Sequence, residues 1–174
     1  MTQEIYIENI MEVLKNKNRI QKELNVKITN KGKLVFIDGQ GEKEYLALKV
    51  LEAVNLGFSV DKSLLLKDEE IILQTLNIKN ITKRNDLERV RARIIGTHGK
   101  TIANLSKLTD CHLSLNNNQV GIIGNINNIE EAMIALRILI QGSKQGNVYA
   151  RLEKKKRQKR LSQPEVIKNE MKKK

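Results

Sequence analysis

The chain has 174 residues, with 32 lysines and arginines against 20 aspartates and glutamates, a formal net charge of +12. That length suits one ordinary domain or two small ones, 40% hydrophobic residues argue against disorder, and no apolar run is long enough to cross a membrane. Two histidines and one cysteine cannot build a Cys/His zinc site, so no metal or cofactor is expected; the lone Cys111 fits a reducing compartment, and the acidic start MTQEIYIEN lacks the pattern of an export signal, which together point to the cytoplasm.

In chain order, Val13 and Leu14 belong to a helical stretch that reaches Lys15-Asn16-Lys17-Asn18, read as a short glycine-free turn. Val26 to Thr29 is read as a strand, Val35 and Ile37 as its return, and Ala47 and Leu51 as the buried face of a helix. Gly57-Phe58-Ser59 and Asp61 to Leu64 form a helical linker, and Ile78 to Ile81 is the candidate first strand of the second half. Leu87 to Ile95 reads as a short helix broken at Gly96-Thr97-His98-Gly99, and a second helix runs from Lys100 to Leu108 with Ile102, Leu105 and Leu108 on one face. Cys111 to Leu115 alternates as a strand does, Asn116 to Asn118 turns, and Gln119 to Ile123 returns. Asn127 or Asn128 is expected to cap a last helix through Ile129, Met133, Leu136 and Ile140, which stops at Gly142. Arg151 to Arg160 is a basic stretch with few aliphatics, expected to be either a charged rod or a solubilising tail, with Pro164 ending any helix and Lys168 to Lys174 mobile.

The two halves repeat. Val26, Ile28, Val35, Ile37, Gly39, Ala47 and Leu51 fall on Cys111, Leu113, Val120, Ile122, Gly124, Ala132 and Leu136 at one offset of 85 residues, while Val13 falls on Ile94 at 81. The four-residue gap lies where the second copy has its Gly-x-x-Gly. Charge divides the halves: residues 1–81 are neutral, 82–150 carry +4 and 151–174 carry +8, so a polyanion partner is expected for the second half. Aromatic residues are only 3% with no tryptophan, which argues against a base-stacking sheet.

Two glycines three apart, between helices, allow positive φ and remove the Cβ atoms that would block a sugar-phosphate backbone. The helix opening at Lys100 aims its unpaired N–H groups at the same place. Gly96 and Gly99 would admit the backbone, Thr97 and His98 would donate hydrogen bonds, and Lys100, Arg91 and Arg93 would add charge. His98 has no triad context, and nothing supports an enzyme.

The sequence I-I-G-T-H-G-K-T-I followed by helix, hairpin and helix resembles the KH domain, whose GXXG loop clamps single-stranded nucleic acid. The resemblance implies an α/β (α+β) fold of two tandem eukaryotic-type KH domains (βααββα), each a three-stranded sheet packed on helices, plus a basic C-terminal helix. It divides the chain into 1–77, a degenerate first unit with its linker, 78–145, the second unit, and 146–174, the basic helix and tail. It also implies that Ile102, Leu105 and Leu113 floor a groove for bases, with Lys107 beside it and Lys154, Lys155, Lys156 and Arg157 on nearby phosphates. His112 and Ser114 alternate with Leu113, so only one set can face the groove.

Gly57-Phe58-Ser59 with Asp61 to Leu64, and Gly146 to Tyr149 leading into basic residues, narrow the resemblance over residues 4–160 to the two-KH-domain small-subunit ribosome assembly factors of archaea and eukaryotes. This implies a non-enzymatic protein on single-stranded small-subunit rRNA near its 3′ end. Implied partners are a PIN-domain endonuclease and the alpha subunit of translation initiation factor two. A protein-interaction adaptor and a general KH regulator are the alternatives. The neutral first half is expected to pack or bind protein rather than RNA.

Overall fold

The computed structural model describes residues 3–162; Pro164 and Lys168 to Lys174, expected to end a helix and to be mobile, lie outside the described residues. In the first half β1 (Gln3–Tyr6) is followed by α1 (Ile10–Leu24), β2 (Lys27–Lys31), β3 (Leu34–Asp38) and α2 (Gly41–Asn55). A short helix α3 (Val60–Ser63) and a 3-10 turn (Leu64–Lys67) lead to β4 (Ile71–Asn77), α4 (Ile78–Ile81) and α5 (Leu87–Ile95). Beyond the Gly-x-x-Gly come α6 (Lys100–Thr109), β5 (His112–Asn116), β6 (Gln119–Asn125), α7 (Ile126–Gln141) and α8 (Gln145–Ser162). The result is a mixed α/β fold with two three-stranded antiparallel sheets, ordered β1-β3-β2 and β4-β6-β5.

The offset of 85 is a repeat of geometry as well as of pattern. Ile28 pairs with Ile37 and Leu113 with Ile122, the same register 85 residues apart. Asn25 and Asp110 both take φ of 52° at the end of a helix, and the next amides, Val26 and Cys111, both reach back 3.2 Å to the carbonyls of Gln21 and Ser106. Gly39 and Gly124 lie against these same positions: a Cβ on Gly39 would stand 2.8 Å from Val26 Cγ1, and one on Gly124 2.5 Å from Cys111 Sγ. Glycine is needed at both because the side chain opening the strand fills the space a Cβ would take.

Three expectations need correction. Lys15 to Asn18 form no turn: α1 runs unbroken through them, and Asn16 Nδ2 donates 2.9 Å to the Glu12 carbonyl one turn back. Without glycine and with four residues fewer, the segment keeps helical hydrogen bonding, so the first half reads βαββα rather than βααββα. The first strand of the second sheet is Ile71–Asn77, not Ile78 to Ile81. Asn77 ends it by accepting the Lys79 amide on its side chain at 3.0 Å, which starts a helical turn, while Ile78 still points into the core. The cap of α7 is Asn125, whose Oδ1 takes the Asn127 amide at 3.0 Å; Gly142 ends the helix in left-handed geometry as expected.

The second sheet is covered on both faces. Val120 and Ile122 point into a core with Val90, Ile94, Leu105, Ala132, Leu136 and Leu139, whereas Ile123 belongs to the core of the first half, with Ile71 and Leu73 packed against it. Phe58 is 4% exposed and occupies the space over Gly121, where a Cβ would come within 2.7 Å of its ring. Ser114 Oγ donates to the Leu56 carbonyl at 2.8 Å, and Asn116 Nδ2 to the Asn55 carbonyl at 2.8 Å. The halves are therefore joined by shared apolar burial and by hydrogen bonds to the back of β5.

Candidate nucleic-acid interface

The Gly-x-x-Gly departs from ordinary backbone at three of its four residues. Gly96 has φ 74° and ψ 176°, a region open in practice only to glycine, and a Cβ there would lie 2.1 Å from Thr101 Oγ1 and 2.7 Å from the Thr101 amide nitrogen. His98 takes φ 52°, ψ 33° and Gly99 φ 73°, ψ 14°. These reversals compress the loop into one 3-10 turn and send the chain straight into α6. A Cβ on Gly99 would meet nothing within 4 Å, so this glycine opens a surface rather than relieving a crowded interior. Thr97, His98 and Lys100 are all exposed around it, and Ile95, immediately before, is 40% exposed. Gln145 Nε2 fixes the base of the loop by donating to Thr101 Oγ1 at 3.0 Å and to the Arg93 carbonyl at 3.3 Å.

A groove of ≈ 650 Å³ runs between α6 and β5, lined by Ile102, Ala103, Lys107, His112 and Leu113 among others. The structure thus brings Ile102, Lys107 and Leu113 together as expected, and Leu105 beneath them is fully buried. Strand alternation holds here only in part. Ser114 turns to the first half, but His112, at the start of this edge strand, lines the groove together with Leu113. Burial lowers the His112 pKa from its ordinary value, and the nearby Lys62 ammonium lowers it further.

Lys62 is the residue that sequence reasoning missed. It comes from α3, in the stretch between the two sheets, and lines the same groove; no spacing links it to β5, and only the packing of the halves brings it there.

Arg91 and Arg93 are not placed as free charges beside the loop. Arg91 Nη1 donates 2.7 Å to Asn118 Oδ1 in the β5–β6 turn, and Arg93 Nη2 donates 2.5 Å to the Ser143 carbonyl past the end of α7. Both guanidiniums tie α5 to the rest of the fold.

The basic stretch is helical but is no freestanding rod. Val148 and Leu152, one turn apart on α8, are 1% and 2% exposed. One turn further, Lys156 Nζ donates to the Lys107 carbonyl at 3.1 Å and pairs with Asp110 at 2.9 Å, so a cation sits on the carbonyl end of α6. Lys155 pairs with Glu131 at 3.3 Å. Lys154 and Arg157 are exposed and have no ion pair among the described residues. Of the four tail cations expected on phosphate, two are thus held in ion pairs at the surface and two have none among the described residues. Among the described residues no group of three or more His, Cys, Asp or Glu could hold a metal, and no helix is long and apolar enough to cross a membrane.

Comparison with known proteins bears on the whole of this surface. Residues 72–157 match the family of eukaryotic type KH-domains (KH-domain type I). This segment is similar to a KH domain. Its match begins inside β4 and ends on α8, so it takes in the loop, the groove and the first part of the basic helix. Beyond this segment, the chain is 28% identical to a KH domain-containing protein of Methanocaldococcus jannaschii over 80% of its own length and 65% of that protein's. It is 34% identical to the pre-rRNA-processing protein pno1 of Schizosaccharomyces pombe over 59% of its length and 44% of that protein's. The chain therefore spans about two thirds of the first and under half of the second. Among solved structures, Dim2p of Pyrococcus horikoshii superposes with a TM-score of 0.81 at 29% identity, covering 88% of this chain and 99% of Dim2p. The Dim2p chain in an a/eIF2alpha-aDim2p-rRNA complex of the same organism gives 0.83 at 29% identity, covering 91% and 95%. The chain is thus similar, over both sheets, to KH-domain RNA-binding proteins of the Pno1 and Dim2 type.

Proposed function

We propose that this chain binds single-stranded small-subunit rRNA near its 3′ end through its KH domain and assists or regulates pre-rRNA maturation, without catalysing a reaction itself. The observation that carries the reading is the Gly96 to Gly99 loop opening directly onto α6, with a groove between α6 and β5 whose lining begins at Ile102 on the same helix. Phosphates meet the loop amides and the start of α6, and bases lie on Ile102 and Leu113 within reach of His112, Lys62 and Lys107. The relatives' names, a pre-rRNA-processing protein and a Dim2p complexed with rRNA, support this class of RNA. The same support extends to partners: the alpha subunit of translation initiation factor two, and, from the family resemblance, a PIN-domain endonuclease. In this reading the chain divides into two KH-derived units followed by the basic helix; the expected boundary at 77/78 would leave β4 with the first unit, and a boundary at 68–70 keeps it with its own sheet. The first unit serves as a support, and the setting is the cytoplasm.

The test is an anisotropy titration across salt, with an oligonucleotide of the small-subunit rRNA 3′ end against a scrambled one. Wild type should prefer the rRNA sequence, and Thr97→Asp/His98→Asp should weaken it by roughly tenfold or more, since two carboxylates would face phosphate. Equal binding to both oligonucleotides, unchanged by the substitutions and lost only with salt, would refute the KH-directed reading.

A further inference from the structure

The four edge strands among the described residues are not equally guarded. An unpaired edge invites another strand, and proteins blunt such edges by making them short, charged or proline-bearing. β1 has four residues including Glu4, β2 carries Lys27 and Lys31, and β5 forms a wall of the RNA groove. β4, with the sequence IILQTLN, is a seven-residue edge with no charged residue and no proline.

A groove of ≈ 500 Å³ runs along that edge. Ile71, Ile72, Leu73, Gln74 and Thr75 all line it. Successive strand residues point to opposite faces, so a groove touching five in a row follows the backbone edge itself. Its far wall is apolar, from Tyr45 and Leu46 on α2 and Leu66 on the 3-10 turn, with Tyr45 63% exposed. Its rim holds Glu52, Asp68 and Glu69 against one cation, Lys49, which is paired with Glu52 at 2.9 Å. In a chain of net charge +12 this trough is negative.

We propose that the free edge of β4 takes up an extended, lysine-bearing apolar peptide segment of a partner protein as a fourth strand of the second sheet. Main-chain hydrogen bonds to β4 supply the attachment, and alternate side chains fall on Tyr45, Leu46 and Leu66. The acidic rim selects the charge of the segment. The same rim repels nucleic acid, and it opposes a second copy of this chain, which would bring like carboxylates together across a two-fold axis. Peptide capture here is independent of RNA binding, because the two grooves share no lining residue.

The experiment uses the full chain and two fluorescent peptides, one alternating valine with lysine and one alternating valine with glutamate, with amide hydrogen exchange as the second readout. The lysine peptide should bind and slow exchange at residues 71–75, and the glutamate peptide should not. Glu69→Lys and Tyr45→Ala, both at exposed side chains, should each weaken the lysine peptide by roughly fivefold. Equal binding of both peptides, no binding, or slowed exchange confined to other strands would overturn the proposal. So would a peptide-free chain that sediments as a dimer with residues 71–75 already protected, since a second copy would then be the occupant. Displacement of the peptide by an rRNA oligonucleotide would place it in the other groove and overturn it as well.

Discussion

Replacing each glycine of the loop by alanine separates its two roles. At Gly99 the added methyl meets no atom within 4 Å, and the cost is that of a left-handed non-glycine residue, about 1 kcal/mol. The fold should therefore remain, with a methyl group on the surface where phosphate would approach. At Gly96 the methyl collides with Thr101 at 2.1 and 2.7 Å, and one of those atoms is backbone nitrogen that cannot swing aside. A glycine-only backbone region adds about 1–3 kcal/mol, and forced overpacking about 1–3 kcal/mol more. The buried Thr101 hydroxyl also holds Gln145, so the loss spreads to the start of α8. Urea unfolding and RNA anisotropy on the same samples measure both effects. Gly99→Ala should lose about 1 kcal/mol of stability and roughly tenfold in RNA affinity, the equivalent of one charge-assisted contact. Gly96→Ala should lose about 2–6 kcal/mol of stability. Full RNA affinity in Gly99→Ala would refute close approach of the backbone at this loop, and an unchanged midpoint in Gly96→Ala would refute the packing against Thr101.

Three other sites give outcomes of the same kind. Phe58→Ala should cost about 3–5 kcal/mol and Gly121→Ala about 1–3 kcal/mol, but together less than the sum, because the new methyl enters the space the ring leaves; additive losses in urea unfolding would show that the ring does not seat on Gly121. The His112 pKa, followed by NMR, should lie below the ordinary histidine value, and Lys62→Gln should raise it without restoring it fully, since burial is the larger cause. Because that pKa is depressed in the folded state, the His112 contribution to stability is present above the ordinary value of 6.5 and is lost as pH falls through the depressed one; an unchanged pKa in Lys62→Gln would separate the two residues. Lys154→Ala/Arg157→Ala should lower the salt slope of RNA binding by up to about 2 with little effect on the urea midpoint, whereas Lys156→Ala should chiefly lower the midpoint, by about 1 kcal/mol. The reverse pattern would mean that α8 is not docked on α6.

The features legible in the sequence were those that repeat at short range. Ile28 with Ile37 and Leu113 with Ile122 declared themselves because strand alternation and turn length set the register locally, and the glycines of the loop because positive φ selects that residue. The unbroken α1 differs from the expected turn because asparagine favours turns over helix interiors, whereas here the Asn16 side chain donates to the Glu12 carbonyl within the helix. β4 was displaced because Ile71, Ile72 and Leu73 show no alternation: this strand is apolar on both faces, covered by one half on each side. Arg91 and Arg93 carry the composition signal of phosphate ligands, and the sequence gives no sign that Asn118 and the Ser143 carbonyl each accept a hydrogen bond from them. Lys62 gave no signal at all, because it meets His112 through the packing of Phe58 on Gly121 rather than through chain neighbourhood.

The two hydrogen bonds from Ser114 and Asn116 to the carbonyls of Leu56 and Asn55 bear on the thermodynamics of ligand capture. A wall strand at the edge of a lone small sheet would fluctuate, and a ligand binding there would have to bear the entropic cost of stilling it. Here β5 is immobilised from behind when the polypeptide folds, so that cost is met before any RNA arrives. A half without a glycine loop would thus contribute to capture by rigidity as well as through Lys62, and replacing Ser114 and Asn116 by alanine should weaken RNA binding with every groove-lining side chain still present.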